Sequence, residues 1–200
     1  MLTRRTGLFF GASGILALTP WAAFASSPIG RVTEGRGPAF AEAEGSARPL
    51  VPDARILLND LVRTGSEGRV AMQLGERTRL RLGGDVRLRI DRFIADQGGT
   101  LSLGSGVVGV DTQGSLSRGL SIRSPHALIA VRGTGFVAGH EPGRGFSVLV
   151  DHGAVDVRAG GETVRLGPGE GTTILRRGAK PSSPTSWGTP RAQAFRARLR

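Results

Sequence analysis

Apolar and polar residues alternate with a period of two in short stretches between Ile29 and Leu175. Three consecutive examples are RVAMQL (69–74), RTRLRL (77–82) and DVRLRI (85–90). Because neighbouring side chains of a strand point to opposite faces, each stretch predicts a strand with one buried and one wet face. No stretch of this region has the period of a helix. The pattern therefore predicts an all-β domain.

Turn residues separate these stretches every eight to twelve positions. Sequences such as GSEG, LGGD, DQGG and AGG place glycine where a positive φ is expected, and the chain has 32 glycines in all. A chain that reverses direction this often forms a double-layered antiparallel sandwich or a short β-solenoid of stacked hairpins. We expect the domain to span residues 26–175, followed by a basic C-terminal tail or short helix.

The N-terminal segment, residues 1–25, is predicted to be a signal peptide. MLTRR is a short basic start, Thr6 to Ala25 carry no charge, and AFA (23–25) is a small-x-small cleavage pattern. We expect cleavage after Ala25 and a periplasmic protein. The arginine pair Arg4–Arg5 suggests the twin-arginine export route. The alternative is an uncleaved segment that anchors the protein in the inner membrane, since about 20 apolar residues can span a bilayer.

The net charge of +11 lies mainly near the C-terminus. Residues 26–170 carry 18 basic and 16 acidic side chains, and no acid follows Gly171. The basic residues after that point are Arg176, Arg177, Lys180, Arg191, Arg196, Arg198 and Arg200. A balanced domain that is exported is not expected to bind nucleic acid. The chain has no cysteine, which excludes disulfides, zinc-thiolate sites and a cysteine nucleophile.

Two basic regions are candidates for contact with a partner. Arg79, Arg81, Arg87 and Arg89 occupy the polar phase of neighbouring predicted strands, either as a solvated face or as a basic face for an anionic partner or membrane surface. The tail (176–200) is predicted to begin as a Pro/Ser-rich linker. It ends in a short helix, capped by Thr189 and opened by Pro190. We expect that helix to dock through Phe195 and Leu199, or to lie on an anionic surface or glycan.

The candidate chemistry is sparse. Gly133, Gly135 and Gly139 follow an apolar strand, but no helix follows them, so they do not form a phosphate cradle. His126, His140 and His152 lie in or beside turns without the spacing of a zinc site. No G-x-S-x-G elbow occurs. We therefore predict a protein that is not an enzyme and has no catalytic residue, metal or cofactor. A turn-built site from the three histidines is the alternative.

Three ordered motifs resemble those of the FecR domain family, a periplasmic module named after the iron-dicitrate sensor protein. An R-T-G turn opens the strand series, a T-P…V-R-G-T-x-F segment forms its middle, and a V-x-V-x-x-G-x-V-x-V hairpin follows. The matching residues here are Arg63, Thr64 and Gly65, then Ser124, Pro125, Val131, Arg132, Gly133, Thr134 and Phe136, and then Val148 to Val157 around Gly153. The resemblance covers roughly residues 28–175.

The resemblance implies a periplasmic binding or signalling protein with an envelope receptor or regulator as its partner, in an iron-responsive or other sensory system. It also implies a tight bend at Val-Arg-Gly-Thr, where we expect Arg132 to have a structural hydrogen-bonding role. Since only five residues precede the apolar segment, we expect a stand-alone secreted form without the family's cytoplasmic anti-sigma segment. The alternative function is a structural or glycan-binding β-domain that uses the arginine-bearing face.

Overall fold

A computed structural model describes residues 27–43, 45–131 and 133–200. The predicted signal peptide and Arg132 lie outside the described residues. The described chain forms eighteen strands and one helix. In chain order they are β1 Gly30–Arg36, β2 Ala39–Ala43, β3 Ser46–Pro49, β4 Arg55–Ile56, β5 Leu61–Thr64, β6 Arg69–Leu74, β7 Thr78–Leu82, β8 Arg87–Ile94, β9 Gly98–Ser105, β10 Val107–Thr112, β11 Gly119–Arg123, β12 Leu128–Val131, β13 Gly135–Glu141, β14 Gly145–His152, β15 Val155–Ala159, β16 Glu162–Leu166, β17 Glu170–Ile174, β18 Thr185–Ser186 and α1 Thr189–Ala197.

The described strands form two sheets of nine strands each. Sheet I has the order β18-β17-β14-β13-β10-β7-β6-β1-β4, and sheet II has the order β16-β15-β12-β11-β9-β8-β5-β2-β3. Strand pairing is antiparallel except between β9 and β11, which run parallel. Along the chain, hairpins occur in both sheets. Hairpins β6–β7 and β13–β14 belong to sheet I, and hairpins β8–β9, β11–β12 and β15–β16 belong to sheet II. The predicted all-β fold is confirmed, and it combines a double layer with stacked hairpins.

One hydrophobic core lies between the sheets. Leu80 and Leu82 of β7 in sheet I belong to the same cluster as Leu88 and Ile90 of β8 in sheet II, and all four are fully buried. Burying one such side chain stabilises the fold by about 1.5–3 kcal/mol. The three alternating stretches predicted from sequence coincide with β6, β7 and β8, because each has one face in this core and one in water.

The structure places the tail, which was predicted to begin as a linker, against the sheets. Pro181 is buried, and β18 pairs with β17. The helix also begins differently from expectation: its N-cap is Gly188, and no side chain caps it, so Thr189 is already helical. Pro190 lies in the first turn, as predicted. This accords with proline's fixed φ and missing N–H.

Candidate functional site

The R-T-G motif joins the two layers. Thr64, at the end of β5 and 8% exposed, donates from Oγ1 to the carbonyl of Gly83 (2.7 Å). The same Oγ1 accepts the amide of Val86 (2.9 Å). Gly65 continues the motif, and its carbonyl accepts the amide of Asp85 (3.1 Å). Since the chain passes from β7 in sheet I to β8 in sheet II between Gly83 and Val86, the motif fixes a crossover.

The middle motif marks a second crossover, from β12 in sheet II to β13 in sheet I. Gly133 has φ +62°, and a Cβ there would lie 2.8 Å from the carbonyl oxygen of Gly114. Thr134 is fully buried, and its Oγ1 donates to the carbonyl of Ala154 (2.9 Å). The close approach requires glycine, which agrees with the bend expected from sequence.

The remaining motif residues are structural as well. Val131 and Phe136 are 1% exposed and lie in the core. Gly153 has φ +77°, and a Cβ there would lie 2.6 Å from the Gly133 carbonyl oxygen. Pro125 lies in the β11–β12 turn, where the Ser124 hydroxyl accepts amides of the following residues. The family motifs therefore hold the fold together, and the candidate functional surface lies elsewhere.

Part of the outer face of sheet I, over β10, β13, β14 and β17, is covered by the protein's own tail. Phe195 of α1, 2% exposed, packs with Val107, Val137 and Leu149 of β10, β13 and β14. Small residues make room for the tail: a Cβ at Gly171 would lie 2.4 Å from the Trp187 ring. The expected docking through Phe195 is confirmed, and Leu199 packs against the same cluster.

A half-buried carboxylate fixes the start of the helix. Arg191 donates to Glu141 (2.7 Å) and to Thr173 Oγ1 (2.9 Å), and its guanidinium lies 3.4 Å above the Trp187 ring. Ser147 donates a further hydrogen bond to Glu141 (2.9 Å). Burial alone would raise the pKa of Glu141, but these hydrogen bonds and the charges of Arg191 and Arg144 hold that pKa below its ordinary value.

The outer face of sheet II is open over the described part of the chain. We call it the arginine face, because its outward side chains include Arg63, Arg87, Arg89, Arg92, Arg123, Arg158 and Arg165, all exposed. The described carboxylates that share this face are Glu42, Asp91 and Asp156. The face thus has seven guanidinium groups and three carboxylates. One of these carboxylates, Glu42, already accepts a hydrogen bond from Arg63 (2.8 Å).

The register aligns several of these arginines in one row across the strands. Ser102 of β9 lies between Arg89 of β8 and Arg123 of β11 and pairs with both. Leu128 of β12 likewise lies between Arg123 and Arg158 of β15 and pairs with both. With about 4.8 Å between strands, successive arginines of the row are about 10 Å apart. The row spans about 20 Å of flat sheet.

Apolar groups interrupt the arginine face. Phe40 of β2 is 44% exposed and pairs with Arg63 of β5. Leu128 is half-buried between Arg123 and Arg158. The face therefore combines arginine with exposed hydrophobic side chains. That composition is typical of protein–protein interfaces, where arginine and aromatic residues are enriched and lysine is depleted.

The predicted basic face of four arginines is wrong in its geometry. Arg79 and Arg81 lie on β7 in sheet I, whereas Arg87 and Arg89 lie on β8 in sheet II. The two pairs therefore project from opposite sides of the molecule. The cause is the crossover between β7 and β8. Arg87 and Arg89 belong to the arginine face; Arg79 and Arg81 flank the docked tail.

The three histidines do not converge. His140 pairs with Phe146 near one end of the β13–β14 hairpin, and His152 pairs with Gly135 at the other end. His152 lies against Asp111 (3.4 Å), whereas His126 stacks on Phe146 and is close enough to His140 for their charges to interact. Over residues 27–43, 45–131 and 133–200, no three His, Asp or Glu side chains are arranged to hold a metal ion.

Comparisons with known proteins agree with this geometry. Residues 60–156 match a family model described as FecR protein. This region belongs to the FecR domain family. The matched region runs from the start of β5 into β15. It contains the residues of the arginine face that lie between Arg63 and Asp156. Strands β1–β4 and β16–β18 extend the two sheets beyond the matched region on either side.

Solved structures show the same fold. Two crystal structures of a putative anti-sigma factor from Parabacteroides distasonis ATCC 8503, at 2.50 and 1.65 Å resolution, each match with a TM-score of 0.57 and 16% identity. Each match covers 66% of this chain and 62% of that protein. The chain thus spans less than two thirds of its structural relative, and at this identity the likeness is one of fold. No curated protein sequence matches the chain.

The FecR domain's described part contains no helix long and apolar enough to cross a membrane. Sequence reasoning placed Arg87 and Arg89 on a basic face and identified Arg63 only as a motif residue. It missed Arg123, Arg158 and Arg165 as their neighbours. In the sequence, these three residues were marked only by their position in the polar phase of their predicted strands. Pairing between β9, β11, β12 and β15 brings them together, and this pairing is not visible in the alternation.

Proposed function

We propose that this protein is an exported, non-enzymatic module of the cell envelope that binds an acidic surface of another envelope protein through its arginine face. The observation that carries this proposal is the contrast between the two sheets. The tail covers the β10, β13, β14 and β17 part of sheet I, whereas over the described residues the outer face of sheet II is bare and has seven arginines and three carboxylates.

Electrostatics and burial favour a protein as the occupant. The excess positive charge attracts an acidic surface and speeds association. Exposed Phe40 and half-buried Leu128 supply apolar contact area beside the arginines. Arginine forms bidentate hydrogen bonds with carboxylates, which fixes the orientation of a partner. A FecR domain that resembles an anti-sigma factor in fold is consistent with a signalling role through such a contact.

Export belongs to the same proposal. If residues 1–25 are a signal peptide, the mature protein isolated from the periplasm begins at Ser26, and its intact mass lacks those residues. A full-length mass in the membrane fraction would instead support the anchored form. An iron-linked stimulus, which the family resemblance implies, would appear as a change in partner contact when iron supply is altered.

The binding face is tested by photo-crosslinking in cells of the source organism. A photoreactive phenylalanine at Ser121, in the middle of the arginine face, is expected to give a discrete protein adduct. The matched control places the same residue at Arg81 on sheet I, where no adduct is expected. Adducts from both positions, or only from Arg81, would overturn the assignment. Attachment of the Ser121 variant to insoluble cell wall without a protein adduct would favour a glycan-binding domain.

A further inference from the structure

A cavity of about 330 Å³ lies at one end of the sandwich, separate from the arginine face. Turns from both sheets and the end of the tail surround it. Its apolar walls are Leu103 of β9 and Phe146 of β14, and its polar walls include Asp85, His126, His140 and Arg198. Leu103 and Phe146 both belong to the core cluster. The cavity therefore opens from the hydrophobic core to the surface at the end of the sheets.

One wall is a flat aromatic surface. The imidazole of His126 stacks on Phe146 with 5.5 Å between ring centroids and 5° between ring planes. Phe146 is 3% exposed, while His126 is only half-buried, so an imidazole face or edge is left for an occupant. Flat apolar groups bind such surfaces by offset stacking. The volume suits a ligand about the size of one aromatic ring with a substituent.

The charged groups around the cavity are predominantly basic. Arg198 contributes a permanent positive charge, and Arg177 acts on His126 from nearby. Burial lowers the pKa of His126, and the charges of His140 and Arg177 lower it further. Asp85 is the carboxylate among the residues that line the cavity. A bound anion would oppose these effects and favour the charged form of His126.

We propose that this end cavity binds a small organic anion, with a flat apolar body against the His126–Phe146 pair and a carboxylate facing Arg198 and His140. Apolar walls provide affinity, and a few polar groups fix the orientation, as in most small-molecule sites. Arg198 belongs to the C-cap of α1, which connects the cavity to the docked tail. The proposal does not depend on a partner at the arginine face.

The three histidines allow a direct test by NMR on the purified full chain. Benzoate is the probe, benzyl alcohol its neutral analogue and benzylammonium its cationic analogue. We expect benzoate to shift the imidazole signals of His126 and His140 saturably, benzyl alcohol to do so more weakly, and benzylammonium not at all. His152 is the internal control, because it lies at the far end of the β13–β14 hairpin.

Two variants test the anion contact. Arg198→Gln and His140→Gln are each expected to weaken benzoate binding about tenfold, the loss of one charge-assisted hydrogen bond. Arg165→Gln, on the arginine face in the edge strand β16, leaves binding unchanged. Trp187 fluorescence checks that the tail stays docked. The proposal is overturned if His126 shows no saturable shift up to millimolar benzoate, if His152 shifts equally, if the cationic analogue binds as well, or if neither variant weakens binding.

Discussion

Replacing Phe195 with alanine is expected to detach the C-terminal helix from sheet I. Phe195 is the large apolar side chain of α1 that inserts between Val107, Val137 and Leu149, and its ring lies 5.6 Å from that of Trp187. A nine-residue helix is too short to persist alone in water. When this contact is removed, we expect the helix to unfold as well as undock.

The magnitude follows from the burial. Phe→Ala in a closed core costs about 3–5 kcal/mol. Phe195 is 2% exposed, but a single helix covers its pocket, and that pocket can collapse once the ring is gone. We therefore expect the lower end of the range, about 3 kcal/mol in the free energy of unfolding. For a domain of this size that lowers Tm by about 6–12 °C.

Urea unfolding followed by tryptophan fluorescence measures this loss. The chain contains Trp21 and Trp187, so a Trp21→Phe background leaves Trp187 as the reporter of the tail. The matched control is Phe40→Ala, which removes the same atoms from a side chain that is 44% exposed. We expect Phe40→Ala to change stability by about 0.5 kcal/mol or less.

Two results would refute the reasoning. The first is a Phe195→Ala variant that is as stable as Phe40→Ala. The second is rapid amide hydrogen exchange across residues 189–197 in the unmodified protein, since a docked helix protects its amides.

Three further substitutions test other contacts of the fold. Thr64→Val should lower the free energy of unfolding by about 1–3 kcal/mol, because it leaves two buried backbone groups of the β7–β8 crossover without their partner. The control is Thr163→Val at an exposed position. Equal stability of the two variants would contradict the role of the Thr64 hydroxyl. Gly171→Ala places a methyl group against the indole of the tail and should change its fluorescence, whereas Gly104→Ala, which has room for a methyl group, should not. The lowered pKa of Glu141 means that its charged form is favoured in the folded state. Its contribution to stability is therefore present above its ordinary pKa of 4.5 and disappears as pH falls through the lower folded value. Glu141→Gln should remove this part of the acid dependence in urea titrations, and an unchanged pH profile would contradict it.

The sequence predicted the strands that have one wet face. In β7, Arg79 and Arg81 alternate with Leu80 and Leu82, and solvent on one side preserves that alternation. Strands β13 and β14 are buried on both faces, and in their runs FVAG and FSVLV the one polar residue is Ser147. This signal was present in the sequence. The element that covers them, α1, lies about 40 residues further along, and no local pattern links the two.

The shared basic face could not be predicted because alternation does not distinguish a hairpin from a crossover. The turn between Leu82 and Arg87 resembles a hairpin turn in sequence, yet it carries the chain into the other sheet. Long-range pairing then places Arg123 and Arg158 in one row with Arg89. No local pattern indicated the end cavity either, since it is assembled from two crossovers between the sheets, two hairpins and the end of the tail.

Charge reversal on the arginine face is the most direct test of the central claim. The Ser121 photo-crosslinking variant is compared with the same variant carrying Arg123→Glu and Arg158→Glu, and with one carrying Arg79→Glu and Arg81→Glu on sheet I. We predict that reversal on sheet II abolishes the protein adduct, while the equal change in charge on sheet I leaves its yield unchanged. An adduct that survives the reversal on sheet II, or that is lost equally in both variants, would contradict a partner bound at the arginine face.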